Sequence, residues 1–120
     1  MNNLEKKRER YMQDALPIRL GGLAANLARI GSFVKNSANL EAVKSLLAES
    51  KYFIEWTAAE LSADKAFELV RLQIELAVLE RNCEKSWSNE ARRMEIGVQA
   101  KDWSKSVLQT SGLIGESARD

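Results

Sequence analysis

Leu16, Leu20, Leu23, Leu27, Ile30 and Val34 recur in steps of four and three residues. That spacing places all of them on one stripe of an α-helix and suits neither face of a strand. A stripe of this length must be buried against other elements, so the chain is read as a packed helical protein. Pro17 fits the first turn, where its missing N–H costs nothing, and Asp14 is the expected cap. The stretch NSAN at residues 36–39 can end this helix and cap the next.

A second stripe, Leu40, Val43, Leu47, Ser50, Ile54, Ala58 and Leu61, keeps the same period. Tyr52, Trp56 and Ala59 fall on its opposite side. A third segment, Ala66 to Leu79, is apolar on most of its circumference, and only Glu68, Arg71 and Glu75 form a narrow polar strip. Such a helix is expected to sit among neighbours on several sides. Ser62 or Asp64 can cap it.

The stretch RNCEKSWSNEARR divides two readings. Asn82, Ser86, Ser88 and Asn89 are turn and cap residues, and Ser88 is the expected cap. No Gly or Pro forces a break, however. The preferred fold class is all-α: an antiparallel bundle of about four helices near residues 15–35, 40–61, 64–84 and 89–110. The alternative is two shorter helices followed by one very long C-terminal helix of about 73 Å. The expected organisation is a basic N-terminal arm at 1–13, a bundle domain at 14–111 and a flexible tail at 112–120.

Composition agrees with one soluble helical domain. The chain has 120 residues, 45% of them hydrophobic, with one Pro and six Gly. Its net charge of +1 supplies no global electrostatic address. Residues 1–40 hold seven Lys/Arg against three Asp/Glu, whereas residues 41–80 hold four against eight. A single Cys83 excludes an internal disulfide framework and favours a reducing setting. No apolar run long enough to span a bilayer occurs, and the charged opening MNNLEKKRER is not followed by a signal segment. A cytoplasmic protein is expected.

The residues argue against enzyme chemistry. There is no His, which removes the commonest general base and metal ligand. One thiolate cannot assemble a zinc site, and the Glu-x-x-His pairs of di-iron bundles are absent. LGGLAANLARIG matches neither G-x-G-x-x-G nor the P-loop pattern and follows no predicted strand. Cys83 has Arg81 and Lys85 nearby in sequence but no His to activate it. The carboxylate pairs Glu55/Glu60 and Glu68/Glu75 read as solvated faces. No catalytic, cofactor or metal residue is assigned.

The assembly signals are stronger. Gly21, Ala25, Ala28 and Ser32 form a smooth line about 150° from the leucine stripe of the first helix. Small residues on a line let another backbone approach, either a helix of the same chain or a second copy. The Tyr52–Trp56–Ala59 strip faces away from the main stripe of its helix. In the last segment, Trp87, Ala91, Met94 and Val98 lie nearly opposite Ile96, Ala100, Trp103 and Val107. One bundle cannot hide apolar surface on both sides of so many helices, and contiguous apolar patches mark partners. The expected partner interface therefore comprises Gly21, Ala25, Ala28, Ser32, Tyr52, Trp56 and Trp103, in a two-fold homodimer.

A second reading uses Lys6, Lys7, Arg8 and Arg10 as candidate anion contacts to nucleic acid or an anionic surface. Interleaved Glu5 and Glu9 weaken that field. A third has the bundle hold a hydrophobic small molecule between its helices. The phrases PIRLGGLAANLARI and ESKYFIEWTAAEL resemble small uncharacterised helical proteins of cyanobacteria, over roughly residues 11–82. The resemblance implies a bacterial cytoplasmic setting and carries no activity or site residue. The leading reading is a non-enzymatic helical interaction module that forms a homo-oligomer.

Overall fold

The structure, a computed structural model, describes residues 2–112. Among them are five α-helices and no strand: α1 (Asn3–Met12), α2 (Leu16–Phe33), α3 (Leu40–Thr57), α4 (Ala63–Ser86) and α5 (Glu90–Ser111). Short 3-10 turns at Ser37–Asn39 and Ala58–Glu60 flank α3. The tail expected at 112–120 lies outside the described residues, apart from Gly112, whose left-handed φ of 79° ends α5 as helix C-termini commonly require.

The stretch RNCEKSWSNEARR breaks at residues 87–89, which excludes the single long C-terminal helix. Asn89 supplies the cap, accepting from the Arg92 N–H at 3.0 Å, in place of the expected Ser88. Ser62 caps α4 as expected. Asp14 does not cap α2; Ala15 occupies that position without a side-chain bond. The Asp14 carbonyl instead accepts from Arg19 Nε at 3.0 Å.

The expected basic arm is a helix. Asn2 caps it through the Glu5 N–H at 2.7 Å. Lys7 pairs with Glu49 of α3 at 2.6 Å, and the Tyr11 ring stacks on Phe53 with centroids 3.9 Å apart. The Tyr11 hydroxyl donates to the Arg19 carbonyl at 2.7 Å. Burial pushes its pKa up to about 12. These contacts give a ten-residue segment the tertiary support that its length alone does not provide.

The leucine stripe of α2 is the heart of the core. Leu20, Leu23, Leu27, Ile30 and Val34 are all at most 1% exposed, and they meet Val43, Leu47 and Ile54 of α3. The most intimate helix pair is α2 with α5, which run antiparallel: Ala24 lies beside Ser104, Gly31 beside Gly97, and Val34 beside Arg93. The Ser104 hydroxyl donates to the Ala24 carbonyl at 2.8 Å. A Cβ on Gly97 would stand 2.6 Å from Val34 Cγ2 and 3.2 Å from the Gly31 carbonyl oxygen, so the two backbones touch there.

In packing order the helices run α5, α2, α3, α4, and α4 makes little contact with α5. The short axis of the molecule is 21 Å, about two helix diameters. In place of the expected antiparallel bundle of about four helices, the described residues form a flattened, five-helix arrangement with a loose seam between α4 and α5.

Two buried arginines brace it. Arg19, 5% exposed, donates to both carboxylate oxygens of Glu60 at 2.9 and 2.7 Å. Those bonds hold the Glu60 carboxyl below its ordinary value. Burial alone would push Glu49 up, but hydrogen bonds from Lys7 and Asn26 overcome it and leave Glu49 lowered as well. A carboxyl depressed in the folded state contributes stability above its unfolded pKa and loses it as pH falls. Resistance to urea should therefore be flat near neutrality and decline as pH falls through 4.5 and below. Glu49→Gln combined with Glu60→Gln should flatten that acid limb. An acid limb of unchanged steepness in the double variant would assign it to other carboxylates.

Candidate functional site

Helix α4 is 24 residues long, about 36 Å. Leu69, Leu72, Leu76 and Cys83 turn into the core. On the side toward α3, Gln73 donates to the Lys51 carbonyl at 3.1 Å and Glu80 pairs with Lys51. Glu84 pairs with Lys44 of α3 at 3.2 Å. The outward face is different. Phe67 is 64% exposed, Val70 41%, Ile74 60% and Val78 54%, in steps of three, four and four. Ala63 and Ala77 are exposed beside them. By helical geometry these residues form one stripe over more than three turns.

Isolated exposed apolar residues are ordinary; a continuous stripe is a candidate contact surface. The expectation of neighbours on several sides does not hold: α4 is an outer member, packed chiefly on α3, and most of its remaining surface meets solvent. The all-round apolar pattern was the available signal, but it did not reveal which side points outward.

Beside the stripe, the loose α4–α5 seam leaves a groove of about 530 Å³, lined by residues including Glu68, Arg71, Glu75, Trp103 and Thr110. Arg71 leans over the Phe67 ring at 6.0 Å from its centroid. Trp103, half-buried, lines this groove and also a second one nearer the α4–α5 turn. The groove is open and its wall carries five charged side chains, which suits water more than a hydrophobic small molecule.

The other expected interface residues lie apart from the stripe. Gly21 is half-buried, and Ala25, Ala28 and Ser32 are exposed on the outer side of α2. Among the described residues, no helix packs on the smooth line. The close helix contact forms on a different face, where Ala24 and Gly31 meet Gly97, Ala100 and Ser104. Ala25→Leu and Ala28→Leu should consequently change folding stability by no more than about 0.5 kcal/mol. Chemical denaturation measures this; a loss above about 2 kcal/mol would mean that the line is packed internally.

Trp56, half-buried, stacks on Tyr52 at 5.6 Å and lies 5.9 Å from Tyr11, so it belongs largely to an internal aromatic cluster joining α1 and α3. In α5 the stripe Ile96, Ala100 and Val107 is buried, while Ala91 and Val98 of the other stripe are exposed. Lys6, Arg8 and Arg10 are exposed on α1, but Lys7 is tied to Glu49.

No reactive constellation appears among the described residues. No group of three or more Cys, Asp or Glu is placed to hold a metal ion. Cys83 is fully buried, and burial pushes its thiol up, away from the thiolate form that nucleophilic chemistry needs. No described helix is long and apolar enough to cross a membrane. No protein-family model, curated protein or solved structure matches the chain.

Proposed function

We propose that this chain is a non-enzymatic interaction module that associates with a second copy of itself, its α2–α5 unit acting as an antiparallel bundle completed by that copy. The observation that supports this reading is the Phe67–Val70–Ile74–Val78 stripe, left in water by a fold that buries Leu69, Leu72, Leu76 and Cys83 of the same helix. Burying one such face is favoured by about 25 cal/mol for each Å² of apolar surface removed from water. The core can spare the α4 face because the α2 stripe and α5 already fill the centre.

Light scattering or sedimentation across a concentration series tests it. A single-helix face lies toward the small end of stable interfaces, so association is expected in the micromolar range. A protein that stays monomeric at about 100 μM would refute self-association. Trp103 lies at the rim of the stripe, and Trp103→Ala is expected to weaken association less than substitutions within the stripe.

A further inference from the structure

The charges along α4 select how two copies meet. The flank of α4 toward α5 carries Asp64, Lys65, Glu68, Arg71 and Glu75, and the C-terminal end of the outward side carries Arg81 and Lys85, all exposed. The remaining acids near the C-terminal end, Glu80 and Glu84, are drawn sideways to Lys51 and Lys44 of α3. Asp64, Glu68, Arg81 and Lys85 make no ion pair among the described residues. The apolar stripe is thus flanked by a net acidic charge along its N-terminal half, three acids against Lys65 and Arg71, and by a basic C-terminal end.

A parallel pair of such faces would set acid against acid and base against base. An antiparallel pair sets each acidic end against the basic end of the other copy. It also opposes the two helix dipoles, which favours the same arrangement. We infer that α4 pairs with α4 of a second copy antiparallel about a two-fold axis near Ile74. This rests on the self-association proposed above.

The register follows from the stripe. Ile74 lies near the axis and meets Ile74 of the second copy. Val70 meets Val78. Phe67, whose ring already carries Arg71 of its own helix, comes opposite Arg81 of the second copy. Glu68 and Asp64 come alongside Arg81 and Lys85. An antiparallel, two-fold contact is self-complementary and closes at two chains, so it makes a dimer and not a filament.

Cysteine scanning reads this geometry in the full chain. A disulfide needs Cα atoms within about 7 Å. Ile74→Cys should therefore cross-link readily to its own kind under mild oxidation. Phe67→Cys should not, because seven residues from the axis place its two copies about 21 Å apart. Wild type, with Cys83 buried, provides the background. Ile74→Glu should weaken the dimer by about 30-fold or more, while the helical spectrum and melting of the monomer are preserved. Arg81→Glu should weaken it at low salt, and adding Glu68→Arg should restore it.

Equal cross-linking at 67 and 74 would mean parallel pairing and overturn the inference. A dimer indifferent to Ile74→Glu would move the interface to another surface, such as the smooth line of α2, and leave self-association standing. A wild-type monomer at about 100 μM would remove both.

Discussion

Gly97→Leu should abolish the native fold, and Gly97→Ala should cost about 1–3 kcal/mol in chemical denaturation. The expectation comes from the α2–α5 crossing. The position of a Cβ at residue 97 is already taken, with Val34 Cγ2 only 2.6 Å away. Val34 is β-branched, short and 1% exposed, so it has no free rotamer to retreat into. The Gly31 carbonyl blocks the other side at 3.2 Å. Alanine would gain about 1 kcal/mol of helix propensity, which reduces the net loss without cancelling it. Gly31→Ala is the informative contrast. There the nearest atoms are Cγ and Cε of Lys101, an exposed and flexible side chain, and the Gly97 carbonyl oxygen at 3.2 Å mirrors the contact at residue 97. Lys101 can swing aside, so the substitution should be tolerated far better. Val34→Ala should partly rescue Gly97→Ala, since the two occupy one space. Negligible losses at both 31 and 97 would show that the helices are not in contact as described, and equal large losses would assign the cost to the mutual carbonyl contact and not to Val34.

The second large effect is expected at Arg93. Its Nε donates to the Val34 carbonyl at 2.7 Å and its Nη1 to the Trp87 carbonyl at 2.9 Å. Val34 and Trp87 are the C-caps of α2 and α4. One buried guanidinium therefore serves the carbonyl ends of two helices, where a positive charge is favoured. It also stands 5.8 Å from the Trp87 ring centroid, while the Trp87 indole donates to the Ser37 carbonyl at 2.6 Å. Arg93→Met preserves much of the stem but leaves both carbonyls without their donor. A loss of about 3 kcal/mol is expected from equilibrium unfolding. Arg93→Lys keeps the charge but lacks the planar fork, so it should recover only part. Arg92→Ala, one residue away and exposed, should stay within about 0.5 kcal/mol of wild type. Similar losses at 92 and 93 would exclude the capping role.

The helices were largely legible in the chain because their cores repeat every three to four residues. Leu16 through Val34 announced α2, and Ser62 announced the start of α4. The partner of each face was not legible. Nothing local says that Gly31 will meet Gly97, since that contact joins segments far apart in sequence. Nothing local marks Arg19 and Arg93 for burial, and only the fold supplies the carbonyls and carboxylate that make it tolerable. Tyr11 was invisible for the same reason: a ten-residue charged segment has little helical stability until Phe53 offers a ring to stack on. The candidate site followed the same pattern. Periodicity marked Ala66 to Leu79 as apolar on most of its circumference, and tertiary packing alone decided that the Ile74 side would be left outermost.

The pairing of α2 with α5 has a consequence for how the chain reaches its native state. Helical proteins built from sequence neighbours fold quickly because little chain must be closed into a loop. Here the Ser104–Ala24 bond spans 80 residues. During synthesis the small-residue face of α2 must wait for almost the whole chain to emerge before its main neighbour exists. α2, α3 and α4 can meet earlier, with one flank of the leucine helix still uncovered. The step that completes the core is a late docking of α5, and folding should be correspondingly slower than the all-helical composition alone would suggest.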